Sequence, residues 1–198
     1  MTITAIKAQV KHPDRVSVYV DGKYALSLNY PQVLDQKIRV GLDLNEQRLT
    51  ELKHASDFGK AYERALMFAM LRPRSIRELQ DYARRKKWQA EDAQAVIQKL
   101  TSKGYLNDEA FARSWVASRA LAKKTSARKL RLELKQKGVA DDIIQVALQV
   151  SAYDETEALR ELVAKKRKLA RYHDDQKLIR YLAGQGFGFE AIKTALNH

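Results

Sequence analysis

The residues with the clearest potential for chemistry are clusters of Lys and Arg. Five of the seven residues from 165 to 171 are basic, and shorter groups lie near residues 72, 84 and 128. Cations at a helix end offset the helix dipole, but five within seven residues exceed what one helix end requires. Such clusters indicate a surface that binds a polyanionic partner, although a solvated surface that only keeps the protein in solution remains the alternative. The predicted contact residues are Arg72, Arg74, Arg84, Arg85, Lys86, Lys87, Arg119, Lys123, Lys124, Arg128, Lys129, Lys165, Lys166, Arg167, Lys168 and Arg171.

The positive charge is concentrated in one part of the chain. The net charge is +13 over 198 residues. Residues 1–59 contain 8 Lys/Arg and 7 Asp/Glu, whereas residues 60–180 contain 28 Lys/Arg and 16 Asp/Glu. A field of this sign favours nucleic acid, acidic lipid or an acidic protein surface as the partner, and it says nothing about the fold.

Two short patterns could suggest catalysis. Glu133 and Lys135 match the E-x-K part of a nuclease metal site, and His173 precedes two aspartates. Glu133 lies in a helical segment where neighbouring residues face apart, and Asp174 or Asp175 is better explained as a helix cap. The four histidines share no metal-ligand spacing, there is no cysteine, and no phosphate-binding glycine loop follows a strand. We therefore predict no enzymatic activity, no cofactor and no metal.

A stretch of twenty residues is written twice, 48 residues apart. "KLRLELKQKGVADDIIQVAL" at 129–148 and "KLIRYLAGQGFGFEAIKTAL" at 177–196 share seven identical positions, where chance would leave about one or two. A looser third copy places Ser75 51 residues before Ser126. Repetition at this period predicts a stack of similar structural units.

Each repeat unit is predicted to contain three short helices, and the helix ends carry recognisable sequence signals. Asn45, Ser75 with Glu78, and Asp154 with Glu157 are predicted helix N-caps. Further candidate caps are Asp108, Asp142 and Asp175, and Gly104, Gly138 and Gly186 stand where helices should end. The predicted units are 60–107, 108–153 and 154–198. Because no unit of about 45 residues buries its apolar faces alone, neighbouring units should share a continuous core.

The N-terminal residues read as strands. Apolar residues alternate at Val16, Val18 and Val20 and again at Tyr24, Leu26 and Leu28, with Asp21-Gly22 between them. A strict two-residue loop would send the two rows to opposite faces, so we expect one extra loop residue, with Gly22 left-handed. A third strand, a helix near Pro31 and a helix with a core-facing stripe of Tyr62, Ala65, Leu66, Ala69 and Met70 complete the prediction for residues 1–70. The predicted fold is mainly α: tandem three-helix, helix-turn-helix-like repeats in a curved stack, with a β-hairpin or meander extension and a linking helix at 1–59.

Basic helical hairpins also raise the possibility of sequence-specific DNA binding. A helix that reads the major groove needs Asn, Gln, Arg or Ser along one face. The third helices of the repeats, "DDIIQVALQ" and "GFEAIKTAL", offer almost none. Base-specific reading is therefore disfavoured, while binding to DNA without sequence preference stays open. No signal peptide and no run of 18 apolar residues is visible, so we expect a cytoplasmic protein with no membrane segment, and a monomer.

Several motifs in fixed order resemble the RecX family of regulators of the RecA recombinase. They are "RPRSIRELQDYARRK", "VIQKLTSKGYLNDEAFARSWVASR", "SARKLRLELKQKGV" and the closing "YLAGQGFGFEAI". The resemblance covers residue 60 to the C-terminus, and "ITAIKAQ" with "YVDGKYALSL" is similar to the β-rich extension of some members. The resemblance implies a curved stack of three-helix repeats.

The same resemblance implies a function in DNA repair, recombination and the SOS response. It implies binding in the groove of the RecA–DNA filament, with DNA as a second contact, and suppression of ATP hydrolysis and strand exchange. It brings no catalytic residue and no cofactor. No contact motif of the family transfers residue by residue, so the predicted contact residues depend on charge clustering alone.

Overall fold

The computed structural model describes residues 1–123, 125–150 and 153–197, with the side chains of 121–123 also left undescribed. The chain divides into two compact units. The first comprises Met1–Met70 with Ala83–Leu100, and the second comprises Leu71–Tyr82 with Thr101–His198.

A three-stranded antiparallel sheet opens the first unit, as predicted. Its strands are β1 (Ile3–Ala8), β2 (Arg15–Val20) and β3 (Lys23–Asn29), in that order across the sheet. The turn between β2 and β3 contains only Asp21 and Gly22, with φ values of 48° and 80°, so Gly22 is left-handed as expected.

The extra residue that aligns the two apolar rows lies in β3 and not in the loop. Val18 pairs with Leu26 while Tyr19 pairs with Tyr24, which leaves Ala25 as a bulge. The bulge brings Leu26 onto the buried face with Val18, but it leaves Tyr24 56% exposed, edge-on to the ring of Tyr19. The prediction that Tyr24 joins the apolar row was therefore wrong, because the row switches face at the bulge.

Two helices cover the sheet. A short helix, α1 (Tyr30–Asp35), leads to the long α2 (Glu46–Met70), whose N-terminus is capped by Asn45. The buried Arg15 on β2 fixes α2 to the sheet: its guanidinium forms an ion pair with Glu63, with a closest N–O distance of 2.6 Å, and donates to the carbonyl of Ser27 at 2.9 Å.

The predicted apolar stripe on α2 is confirmed at Ala65 and Ala69, with Tyr62 and Leu66 half-buried, and is wrong at Met70. The buried residues of its C-terminal half are Gly59, Ala61, Ala65 and Ala69, whereas Met70 is 69% exposed. The smaller alanines line the buried face, and Met70 lies at the helix end, where the last turn leaves the core. Residue 60, where the first repeat was expected to begin, falls inside this uninterrupted helix.

The remaining helices follow in the predicted order of threes. After α2 come α3 (Ile76–Arg85) and α4 (Ala90–Ser102). The second set is α5 (Asp108–Lys123), α6 (Ala127–Gln136) and α7 (Asp141–Val150). The third set is α8 (Glu155–Arg167), α9 (Asp175–Gly184) and α10 (Phe189–Leu196), with a 3-10 helix at Ala170–Tyr172. The tandem three-helix architecture is confirmed.

The middle helices of the three sets are built alike. Leu79, Leu130 and Leu178 occupy equivalent positions in α3, α6 and α9, and all three are fully buried. Each helix ends in a left-handed residue, which is Gly138 after α6 and Gly186 after α9, as predicted. In the first set Lys87 takes this conformation, with φ of 55°.

The helix caps agree in part with expectation. Asp154 caps α8 and accepts hydrogen bonds from two backbone amides. Asp174, not Asp175, caps α9, and the amides of Lys177 and Gln176 lower the pKa of its carboxyl. Asp142 lies inside the first turn of α7. Asn107 caps α5 in place of Asp108, whose side chain is directed to another helix.

The side chain of Asp108 contacts the N-terminal turn of α3. We call the contact between this turn and the second helix set the first junction. Ser75, which caps α3, accepts from the amide of Glu78 and donates its hydroxyl to the carbonyl of Lys137 at 2.7 Å. The amide of Ile76 donates to Asp108 at 2.9 Å. The N-terminus of one helix thereby satisfies groups at the start of α5 and the end of α6.

The second junction repeats this arrangement between α6 and the third set. Ser126 caps α6 and donates to the carbonyl of Gln185, again at 2.7 Å, and the amide of Ala127 donates to Glu155 at 3.0 Å. A lysine hydrogen bond beside the serine also recurs. Lys137 Nζ lies 2.8 Å from the carboxylate of Glu78 in the first junction, and Lys129 Nζ lies 2.8 Å from the side-chain oxygen of Gln185 in the second.

The apolar cores of the second and third sets are separate. One buried cluster contains Phe111, Val116 and residues of α6 and α7, and another contains Leu159, Tyr172 and residues of α9 and α10. The expectation of a continuous core is wrong for these two sets, because the described contacts that join them at the helix ends are hydrogen bonds. Within the described residues no helix is long and apolar enough to cross a bilayer.

Gly138→Ala should destabilise the protein more than Gly104→Ala. Both glycines have nearly the same left-handed φ, 78° and 77°, so each substitution should cost about 1–2 kcal/mol in backbone strain. A Cβ on Gly138 would also lie 2.6 Å from the side chain of Arg77 across the first junction, whereas one on Gly104 meets nothing within 4 Å. Urea unfolding should show an additional loss of about 1–3 kcal/mol for Gly138→Ala; equal losses would contradict the packed junction.

Glu78→Gln should remove a stabilisation that depends on pH. Burial alone would raise the pKa of Glu78, but hydrogen bonds and charge from Arg72 and Lys137 outweigh it and lower the pKa from 4.5 to about 2. A lowered folded-state pKa stabilises the fold above pH 4.5, and this contribution is lost as the pH falls towards 2.

Because Arg72 and Lys137 are partly exposed, we expect a difference of about 1–2 kcal/mol at neutral pH. Urea unfolding of the wild type and Glu78→Gln between pH 7 and pH 2 measures it. The exposed Glu109→Gln serves as the control. A gap between wild type and Glu78→Gln that stayed constant down to pH 2 would show that the charge of Glu78 is not responsible.

Candidate partner-binding surface

The predicted contact residues divide by exposure. The exposed members are Arg72, Arg84, Arg85, Lys86, Lys87, Arg128, Lys165, Lys168 and Arg171. The half-buried members are Arg74, Arg119, Lys129, Lys166 and Arg167. Lys124 lies outside the described residues, as does the side chain of Lys123.

The densest basic cluster, at the end of α8, is partly used to hold the third helix set together. Arg167 donates to the carbonyl of Tyr172 at 3.1 Å and forms an ion pair with Asp175. The ammonium of Lys166 lies over the rings of Tyr181 and Tyr172, 4.6 and 5.5 Å from their centroids. These contacts stabilise the fold, so the charges of Arg167 and Lys166 are only partly available to a partner.

Two lysines of the same cluster face solvent. Lys165 lies in the last turn of α8, and Lys168 is the residue at which the helix ends. Both side chains are exposed. The guanidinium of Arg171 is also exposed, although it lies 4.9 Å from the ring centroid of Tyr172. Of the five cations in this cluster, three are therefore exposed to a partner: Lys165, Lys168 and Arg171.

Arg119 belongs to the interior of the second helix set. Its Nε donates to Glu133 at 2.9 Å, and the same carboxylate oxygen accepts from the indole of Trp115 at 2.9 Å. The guanidinium carbon of Arg119 lies 4.6 Å from the Trp115 ring centroid. Phe111 belongs to the core of this set, since it is 2% exposed, and Trp115 packs against it half-buried.

The end of α3 carries four consecutive cations, Arg84 to Lys87. All four side chains are exposed in the first unit. Lys87 has the left-handed conformation that glycine adopts in the other two sets. Arg85 and Lys87 therefore offer charge to solvent at a rigid helix end.

A cleft in the second unit contains cations that the sequence analysis missed. One face of α6 and the end of α9 enclose about 540 Å³. Arg128 and Lys129 were predicted, but Arg131, Leu132 and Lys135 were not. Their spacing of three, four and seven residues from Arg128 places them on one helix face, and this is the signal that could have identified them.

The patterns that suggested catalysis have structural roles. Glu133 is engaged by Trp115 and Arg119, and Asp174 caps α9. Within 1–123, 125–150 and 153–197, no group of three or more His, Cys, Asp or Glu side chains is placed to hold a metal ion.

Family models match three parts of the chain. Residues 1–45 match the "Regulatory protein RecX N-terminal domain", residues 107–148 match "RecX, second three-helix domain", and residues 153–196 match "RecX, third three-helix domain".

Curated relatives and solved structures are similar over most of the chain. A "Regulatory protein RecX" of Bacillus velezensis is 32% identical over 98% of this chain and 76% of its own length. One of Bacillus subtilis is 29% identical with the same coverage. A "Crystal structure of regulatory protein RecX" has a TM-score of 0.81 over 100% of this chain and 99% of that chain, at 24% identity. "RecX from Lactobacillus salivarius" has a TM-score of 0.64 over 72% of this chain and 96% of that chain, at 26% identity.

Glu133→Ala should weaken folding, not remove a catalytic group. Loss of the carboxylate leaves the indole N–H of Trp115 and the guanidinium of Arg119 without this acceptor, at a cost of about 1.5–3 kcal/mol. Glu109→Ala is the matched control, because its ion pair with Arg113 is exposed and should be worth less than about 1 kcal/mol. Thermal and urea unfolding measure both. Metal-dependent cleavage of branched DNA that disappears in Glu133→Ala without loss of stability would favour a nuclease instead.

Proposed function

Because this chain belongs to the RecX family of regulatory proteins, we propose that it inhibits the RecA recombinase by binding in the groove of the RecA–DNA filament. Bound there, it depresses ATP hydrolysis and strand exchange and so modulates recombination, DNA repair and the SOS response. The proposal includes a monomeric protein acting in the cytoplasm, without a catalytic site, cofactor or metal.

The observation that best supports this proposal is the distribution of exposed cations over successive helix sets. Arg85 and Lys87 end α3, Arg128 lies in the first turn of α6, and Lys165 and Lys168 end α8. A polymer with repeated acidic groups can be contacted at several such points. Individually weak contacts on one scaffold add as avidity when their spacing matches the partner.

The second junction supports the same mechanism, because it holds the second and third helix sets together at their helix ends. Ser126 and Ala127 bind the start of α8 and the end of α9 directly. A scaffold fixed in this way loses little conformational entropy when several of its contacts engage together. Once bound across RecA subunits, it obstructs the second DNA or the subunit motion that accompanies nucleotide turnover.

A second candidate is a DNA-binding protein that acts without RecA. The same exposed cations favour it, since contacts to phosphates carry most of the affinity in binding without sequence preference. The two candidates differ in their effect on an unrelated DNA-dependent ATPase: competition for DNA would inhibit both enzymes equally, whereas a RecA regulator would inhibit RecA selectively. Both mechanisms predict weaker binding at higher salt.

The combined variant Arg85→Glu, Lys165→Glu and Lys168→Glu should lose inhibition of the filament ATPase. These side chains are exposed, so their reversal should leave the fold intact while it replaces attraction by repulsion. We expect the concentration for half-inhibition to rise at least about tenfold. The measurement is RecA-catalysed, DNA-dependent ATP hydrolysis with increasing amounts of this protein.

The control carries the same change in net charge on the first unit: Lys11→Glu, Lys23→Glu and Arg39→Glu, all exposed. It should inhibit within about twofold of the wild type if position matters more than total charge. The proposal fails if the first variant, shown to be folded by circular dichroism, inhibits as well as the wild type. Equal loss in both variants would indicate a non-specific electrostatic effect.

A further inference from the structure

The cleft in the second unit has an unusual composition. One wall is a face of α6, and the facing wall is the end of α9, from Ala183 to Gly186. The α6 face presents cations around a single apolar side chain, which is 55% exposed. These cleft residues are Arg128, Lys129, Arg131, Leu132 and Lys135.

Comparison with the first junction indicates that two of these residues, Arg131 and Leu132, are not needed to build the scaffold. The positions of α3 that correspond to Arg131 and Leu132 are Gln80 and Asp81. The first junction nevertheless forms the same serine–carbonyl and amide–carboxylate hydrogen bonds, with distances within about 0.1 Å of those in the second. An added cation and an exposed leucine at these places therefore require another explanation.

The local charge is poorly balanced. Arg131 and Lys135 both approach Asp141, at 3.9 and 2.9 Å, but all three side chains are between 45% and 60% exposed. Pairs this exposed contribute less than about 1 kcal/mol and can exchange partners readily. Lys129 is held by Gln185, whereas Arg128 is exposed to solvent. An incoming anion would find more than one cation available.

The cleft suits a protein segment better than a nucleic acid strand. Among the described residues that line it, none has an aromatic ring on which a base could stack, and Leu132 offers apolar contact that phosphates cannot use. The end of α9 forms the second wall, where helix carbonyls carry a partial negative charge. That wall disfavours a uniformly charged phosphate chain.

We propose that this cleft binds an acidic protein segment in which a leucine-like residue is flanked by Asp or Glu. The carboxylates contact Arg128, Arg131 and Lys135, and the apolar side chain packs on Leu132 beside Gly184, where a Cβ would meet no atom within 4 Å. From residue 128 to 135, α6 extends about 10 Å, which corresponds to about three extended residues of the partner. The inference rests on the proposed regulatory function, since it assigns one contact of that surface to protein and not to DNA.

The test uses the full chain and a fluorescein-labelled peptide that repeats Glu-Leu-Asp, with binding followed by anisotropy at low ionic strength. Three protein variants are compared with the wild type: Arg128→Glu with Arg131→Glu, Leu132→Ser, and the control Lys11→Glu with Lys23→Glu, whose residues are exposed and lie outside the cleft. A peptide with Gln and Asn in place of the acids and labelled oligothymidylate complete the set. Urea unfolding establishes that each variant is folded.

We expect the double charge reversal in the cleft to lower the affinity for the acidic peptide at least about tenfold. The control variant should change this affinity less than about twofold. Leu132→Ser should lower the affinity for the acidic peptide several-fold and leave the affinity for oligothymidylate unchanged. Peptide affinity that is unaffected by the cleft variants overturns the proposal, as does a cleft that binds oligothymidylate and not the peptide. Because RecA is absent, failure here leaves the inhibition of its ATPase as a separate question.

Discussion

The second unit depends on one hydrogen-bond arrangement, a serine hydroxyl shared by two helices. Ser75 and Ser126 each accept a bond from their own helix and donate one to the carbonyl at the end of a helix in the next set. A hydroxyl can do both, whereas an ionised Asp accepts but does not donate. Each serine thereby links an amide donor at one helix start to a carbonyl acceptor at another helix end, and both of these backbone groups are satisfied. At the equivalent place in α9 stands Asp174, which can cap its own helix but cannot donate.

The sequence predicts only one of the two hydrogen bonds that each serine makes. Ser75 with Glu78 predicts an N-cap because capping depends on residues three apart in one helix. The second bond of each serine goes to a carbonyl 59 or 62 residues away, and every residue has a carbonyl, so no residue type marks the acceptor. For the same reason Asp108 was read as the cap of its own helix, although it binds the amide of Ile76. Local rules predict most of the helices, although the linking helix and the first helix of the first repeat form the single helix α2. Contacts between backbone groups of distant segments need coordinates.

The surface shows a similar division between what charge counting can and cannot predict. Clusters of Lys and Arg located the basic regions, but the sequence does not distinguish a cation in solvent from one held by a carbonyl or an aromatic ring. Arg167 and Arg119 are bound within the fold, whereas Lys165 and Lys168 are exposed. Arg131 and Lys135 were missed because they alternate with leucine and glutamate along the chain, and become neighbours only when the segment is wound into a helix.

A polar junction has a consequence for the surface around it. Where two helix sets meet through a shared apolar core, side chains near the seam must be apolar to keep water out. The second junction is instead formed by hydrogen bonds of backbone groups and short polar side chains. Positions of α6 next to the junction can therefore carry charged residues or an exposed leucine. The same construction at the first junction tolerates Gln80 and Asp81. Repetition fixes the scaffold while the flanking residues differ from one junction to the next, which lets a tandem protein present a distinct surface at each step along a repetitive partner.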